Sequence, residues 1–124
     1  MAFRKVGQAV WPALLFWLAV PCAGGSAETI YARESWYRER SEPERHWRGV
    51  LRRREPERGP ASRSALLFTL ETRSGSLPVY AAGVAEKLAG YADRRVLARA
   101  KLVDLRQEGY GRELWIGTIE RLSR

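Results

Sequence analysis

Beyond residue 45 the chain alternates apolar and polar positions in five separate runs, the period of two that marks strands with one buried face. Over 46–54, Trp47, Gly49 and Leu51 oppose Arg48, Val50 and Arg52. Over 65–73, Leu66, Phe68 and Leu70 oppose Leu67, Thr69 and Glu71, and over 77–81 Leu77 and Val79 face away from Pro78 and Tyr80. Residues 95–105 set Val96, Ala98, Ala100 and Leu102 against Leu97, Arg99, Lys101 and Val103, and 113–122 form the last run. Glycines inside two runs, Gly49 and Gly117, predict a sharp bend and a bulge.

The period changes once. After Gly83, Val84, Leu88 and Tyr91 fall at i, i+4 and i+7, which predicts a helix of two to three turns, weakened at Gly90 by ~1 kcal/mol relative to alanine. Residues 55–64 carry the Pro, Gly and Ser of a surface loop, Ser74-Gly75 a tight hairpin turn, and Gly109-Tyr110-Gly111 a further turn between strands. Residues 28–45 read as a polar arm of alternating Arg and Glu, with Trp36 or Tyr37 packing on the edge of the domain and Pro43 ending any helix.

The first 27 residues follow a different grammar. Arg4 and Lys5 precede an apolar stretch from Val10 to Val20, too short for the roughly 20 residues of a membrane span. Pro21 and the small residues up to Ala27 then match a secretory signal peptide cleaved after Ala27. A lipoprotein signal using Cys22 competes, against the rigid Pro21 before it, and so does an uncleaved anchor, against the short apolar stretch. Cleavage leaves one domain's length of chain without cysteine, so its core must hold unaided by disulfides, which favours a closed sheet.

The net charge of +8 is spread along the chain and implies a general attraction to anions. Arginine dominates the basic residues and asparagine is absent, a bias common in proteins of GC-rich bacterial genomes, so the expected destination is the periplasm or the exterior.

Nucleophilic catalysis and metal binding lack their residues. His46 is the only histidine and Cys22 the only cysteine, so neither a His-activated nucleophile nor a zinc or copper cluster is expected, and no cofactor is implied. Carboxylates are plentiful, but Glu34, Glu39, Glu42, Glu44, Glu55 and Glu57 lie among arginines, which predicts solvated ion pairs. The Gly-Tyr-Gly at 109–111 is too short for a phosphate cradle.

The order strand, long loop, strand, tight turn, strand, short helix, strand, strand resembles the five-stranded OB-fold, with Gly49 in the first strand and the run 95–102 similar to a fourth strand. The resemblance covers about 46–122 and departs at Ala100, where many such barrels carry glycine. It implies a mainly β domain, a small barrel with one short helix between strands 3 and 4; an open α+β sandwich is the structural rival. It also implies ligand recognition by aromatic platforms and basic residues, for which Arg52, Arg54, Tyr80, Arg99, Lys101, Tyr110 and Trp115 are the candidates. Trp115, between Leu114 and Ile116, fits a core position as well as a platform.

The expected function is that of an exported, non-enzymatic binding module for an anionic polymer, a cell-wall glycan or an envelope protein. Nucleic acid is chemically compatible, but the compartment argues against it. Two rivals remain: a carboxylate-dependent hydrolase, with two acids converging in a pocket, and an envelope interaction protein docking through its N-terminal arm.

Overall fold

A computed structural model describes residues 26–56 and 63–123. Residues 1–25 of the 1–27 signal-peptide reading and the middle of the 55–64 loop lie outside the described residues. Six strands form one sheet: β1 (Glu28–Thr29), β2 (Glu44–Arg53), β3 (Leu66–Thr72), β4 (Gly75–Tyr80), β5 (Arg94–Asp104) and β6 (Arg112–Arg121). Two short helices, α1 (Ser35–Arg38) and α2 (Ala85–Ala89), and a 3-10 turn (Arg106–Glu108) complete the elements. No described helix is long and apolar enough to cross a membrane.

The strands follow the order β1-β6-β4-β3-β2-β5, and β5 also pairs with β6, which closes five of the six into a ring. All pairings are antiparallel except β4 with β6, where Val79 meets Leu114 in parallel. Closure explains how a cysteine-free domain holds: Leu51, Phe68, Leu70, Val79, Val96, Ala98, Ala100, Leu114, Ile116 and Ile119 are all buried, and each large aliphatic side chain so buried contributes roughly 1.5–3 kcal/mol. Leu88, wholly buried, joins this core from α2.

Both strand glycines mark close approaches. A Cβ at Gly49 would overlap the Glu71 carbonyl oxygen on β3. At Gly117 the register of β6 against β5 slips, since Arg99 faces Thr118 while Ala100 faces Ile116, and Gly117 is the extra residue of a bulge. A Cβ there would lie 2.7 Å from the Tyr37 hydroxyl.

That contact belongs to the N-terminal segment, which lies along the ring. Beyond β1, the amides of Ile30 and Tyr31 donate to the carbonyls of Gly117 and Ile116, at 2.7 and 3.0 Å. Ile30, Tyr31 and Tyr37 are buried with the core residues, and the Tyr37 hydroxyl donates to Glu44 at 2.8 Å.

Two local patterns differ from the simple periodicity. The α-helical part of α2 is only five residues, because after Ala89 the amides of Tyr91 and Ala92 bond three residues back. Asp93 then takes φ 62° and its amide donates to the Leu51 carbonyl at 2.6 Å, which returns the chain to the sheet. In β5, Leu102 is half-buried and Val103 fully buried, the reverse of the expected facing. The outer side of β5 is covered at this end, where Lys101 lies beneath the N-terminal segment.

Candidate functional site

Four aromatic rings meet in a closed circuit on one side of the strand ring. Tyr31 and Trp36 contact edge to face at 4.8 Å, Trp36 and Trp115 at 5.3 Å, Trp115 and Tyr80 at 5.6 Å, and Tyr80 returns to Tyr31 at 5.7 Å. Such pairs contribute about 0.5–1.5 kcal/mol each beyond their buried area. Tyr31 is buried and its hydroxyl donates to the Ala82 carbonyl at 2.6 Å, which fixes the base of the group. Burial pushes its phenol well above the ordinary value, so Tyr31 is a neutral donor.

Above this base opens a cavity of about 390 Å³, lined by Trp36, Arg63, Tyr80, Leu105, Glu108, Tyr110 and Trp115. Trp36 and Tyr110, 41% and 37% exposed, are the large aromatics that a ligand meets first. The Gly109 backbone, at φ 91°, and the bonds from Tyr110 to Leu105 and from Leu105 to Gly111 shape the turn that presents Tyr110. The expected turn at 109–111 thus forms one wall of the cavity.

The polar side of the cavity is built on Glu113, which is 1% exposed. Its carboxylate accepts two hydrogen bonds from Arg63, at 3.0 and 2.6 Å, and one from the Trp115 indole at 2.9 Å. The Arg63 guanidinium also lies over Tyr80 and Tyr110, at 4.8 and 4.9 Å from their ring centres. Arg40 lies 5.6 Å over the Trp115 ring and is held by two bonds to Glu42. That pairing draws the Glu42 carboxyl down to about 2, and Glu42 also accepts the Asp104 amide, fastening the N-terminal segment to the end of β5.

The structure divides the sequence candidates among several places. Tyr80, Tyr110 and Trp115 come together in the cavity. Trp115 is 9% exposed, so it serves the core and the cavity wall at once. Arg52 and Arg99 are on the outer face of β2 and β5, Arg52 bonded to Glu71 and Asp93 and Arg99 at 3.9 Å from Glu44. Arg54 lines a separate depression with Leu67, Phe68 and Ala85. Lys101 is 7% exposed, and its ammonium donates to the carbonyls of Tyr37 and Arg40 at 2.7 and 2.9 Å, which gives it a structural task.

Comparison with family models, characterised proteins and solved structures finds no match to this chain. The site therefore stands on its geometry. Trp36, Arg63, Leu105, Glu108 and Glu113 are the members that sequence reasoning does not single out as ligand-binding. Trp36 and Arg63 lie in segments read as arm and loop, and Glu113 begins a run whose partner is fifty residues away. Among the described residues no three His, Cys, Asp or Glu side chains gather to hold a metal.

Chemically, the arrangement offers ring faces and edges for stacking, with a guanidinium and the Glu108 carboxylate at the lining for hydroxyl or amide groups. Sugars and other flat-faced ligands match that combination.

Proposed function

We propose that this chain is an exported, non-enzymatic binding module with an OB-fold, and that it holds a cell-wall glycan through its aromatic cavity. The observation that carries this reading is the convergence of Trp36, Tyr80, Tyr110 and Trp115 around one opening of about 390 Å³. The ring of five strands, with α2 between the third and fourth of them, supports the OB-fold. The cavity draws Arg63 from the loop after the first ring strand, and Leu105, Glu108 and Tyr110 from the turn between the last two. Those are the loops with which OB-folds take oligosaccharides and oligonucleotides. The expected periplasmic or secreted destination favours the saccharide.

The hydrolase reading has less support, because the buried Glu113 carboxylate beside the cavity is committed to Arg63 and Trp115, which leaves Glu108 as the one acid among the described lining residues. Docking through the arm also has less support, because Tyr37 is buried against its own fold.

The test is tryptophan fluorescence during titration with solubilised peptidoglycan strands and with chito-oligosaccharides, on the parent protein, Trp36→Ala and Tyr110→Ala. Loss of one stacking face should weaken binding about tenfold or more, given ~1–3 kcal/mol per stacked ring. Equal affinity in all three proteins, or no response to either saccharide, overturns the proposal.

A further inference from the structure

The outer face of β3, β2 and β5 carries an arginine cluster that the aromatic cavity does not use. In the sheet register Val50 of β2 lies opposite Glu71 of β3 on one side and Arg95 of β5 on the other. Side chains two apart share a face, so His46, Arg48 and Arg52 of β2, together with Arg95 and Arg99 of β5, point the same way as Glu71. An open cavity of about 400 Å³ lies here, and Arg48, Arg73, Arg95 and His46 are among its lining.

Elsewhere Arg40 pairs with Glu42, Arg63 with Glu113, and Arg106 with Asp104. On this face Arg52 takes both Glu71 and Asp93, and Glu44 is bonded by Tyr37 with Arg99 at 3.9 Å. Among the described residues no carboxylate lies in ion-pairing range of Arg48, Arg73 or Arg95. Three guanidinium groups thus share a cavity whose one described lining carboxylate, Glu71, is bonded by Arg52, an excess of positive charge that an anion would relieve.

We propose that this face binds a linear, phosphate-bearing polyanion, at a site that shares no residue with the aromatic cavity. A chain suits the face better than a single ion because the charges are spread. Arg48 lies on β2, Arg95 on the neighbouring β5 and Arg73 just past the end of β3 on the other side, so the three charges span strands about 4.8 Å apart and a chain can meet them in turn. Each guanidinium presents a planar fork of donors suited to phosphate oxygens.

The experiment uses linear polyphosphate as the probe, with binding followed by calorimetry over a range of salt. One variant carries Arg48→Gln, Arg73→Gln and Arg95→Gln together. A control of equal charge change carries Arg33→Gln, Arg106→Gln and Arg112→Gln, all exposed and away from this face. The first variant should lose about tenfold or more in affinity. Its slope of log affinity against log salt should flatten by about 2, at ~0.7 for each phosphate no longer neutralised. The control should keep both slope and affinity to within about twofold, and both variants should melt as the parent does. An equal loss in the control overturns the proposal, since net charge alone would then account for binding. So does retention of polyphosphate by the first variant, or parent protein that adheres to phosphatidylglycerol vesicles but ignores polyphosphate.

Discussion

Arg63 and Glu113, fifty positions apart, meet through two hydrogen bonds of 3.0 and 2.6 Å beside the aromatic cavity. The carboxylate is buried and the guanidinium is only 23% exposed, so the two charges neutralise each other where water has little access. A pair in this setting contributes more to holding one geometry than to net stability, but its rupture is costly.

Arg63→Ala should therefore destabilise the fold by about 3–5 kcal/mol, because it leaves the Glu113 carboxylate buried with one indole bond. Replacing both partners, Arg63→Met with Glu113→Leu, should cost much less than the two single changes added together. Urea unfolding of the four proteins in a double-mutant cycle measures the difference.

Gly117→Ala should destabilise by about 1–3 kcal/mol through overpacking, since the new methyl meets the Tyr37 hydroxyl at 2.7 Å and ring carbon Cζ at 3.0 Å. Tyr37→Phe removes that hydroxyl and its bond to Glu44, at a cost of about 1 kcal/mol. With both changes present the penalties should fall short of additive, because phenylalanine relieves the clash. Thermal melts of the three variants test this.

Lys101→Met keeps the length of the side chain and takes away the ammonium that gathers the Tyr37 and Arg40 carbonyls. Amide exchange over residues 35–40 should accelerate well before that of β5 and β6, because the N-terminal segment loses its main polar fastening. Exchange that rises uniformly across the chain would show the lysine to be a general core residue.

Stability should decline at both ends of the pH scale. Arg40 holds the Glu42 carboxyl at about 2 against an ordinary 4.5, so the stability from this pair is complete above pH 4.5 and is lost as pH falls toward 2. Tyr31, Tyr37 and Tyr91 move the other way. Burial raises all three, Tyr91 to about 12, so their contribution is intact below pH 10 and is lost above it as the unfolded chain ionises first. Melting temperature recorded from pH 2 to 12 should give a plateau bounded by these windows, and Glu42→Gln should remove part of the acid slope.

Alternation and glycine placement were legible in the sequence: the runs containing Leu51, Phe68, Val79, Ala98 and Ile116 became the ring, and Gly117 became its bulge. Tyr80, Tyr110 and Trp115 fall on outward or turn positions, which marks them as platforms in the sequence, and they share a cavity. The parallel closure of β4 on β6 was not legible, because periodicity gives a strand's facing but not its neighbour. Lys101 reads as an outward charge and Glu113 gives no sign of its burial, since both depend on carbonyls and a guanidinium supplied by distant segments. The packing of Tyr37 on the domain was legible, but the polar composition of the segment from 28 to 45 concealed Ile30 and Tyr31.

The glycan-binding proposal stands or falls on ligand entering among Trp36, Tyr80, Tyr110 and Trp115. Amide and indole chemical shifts, mapped by NMR while solubilised peptidoglycan strands are added, locate the point of entry. Saturable shifts should concentrate at the Trp36 and Trp115 indoles and at residues 105–111, with the outer face of β2 silent. Saturable shifts confined to that outer face, or none at any glycan concentration, would refute it.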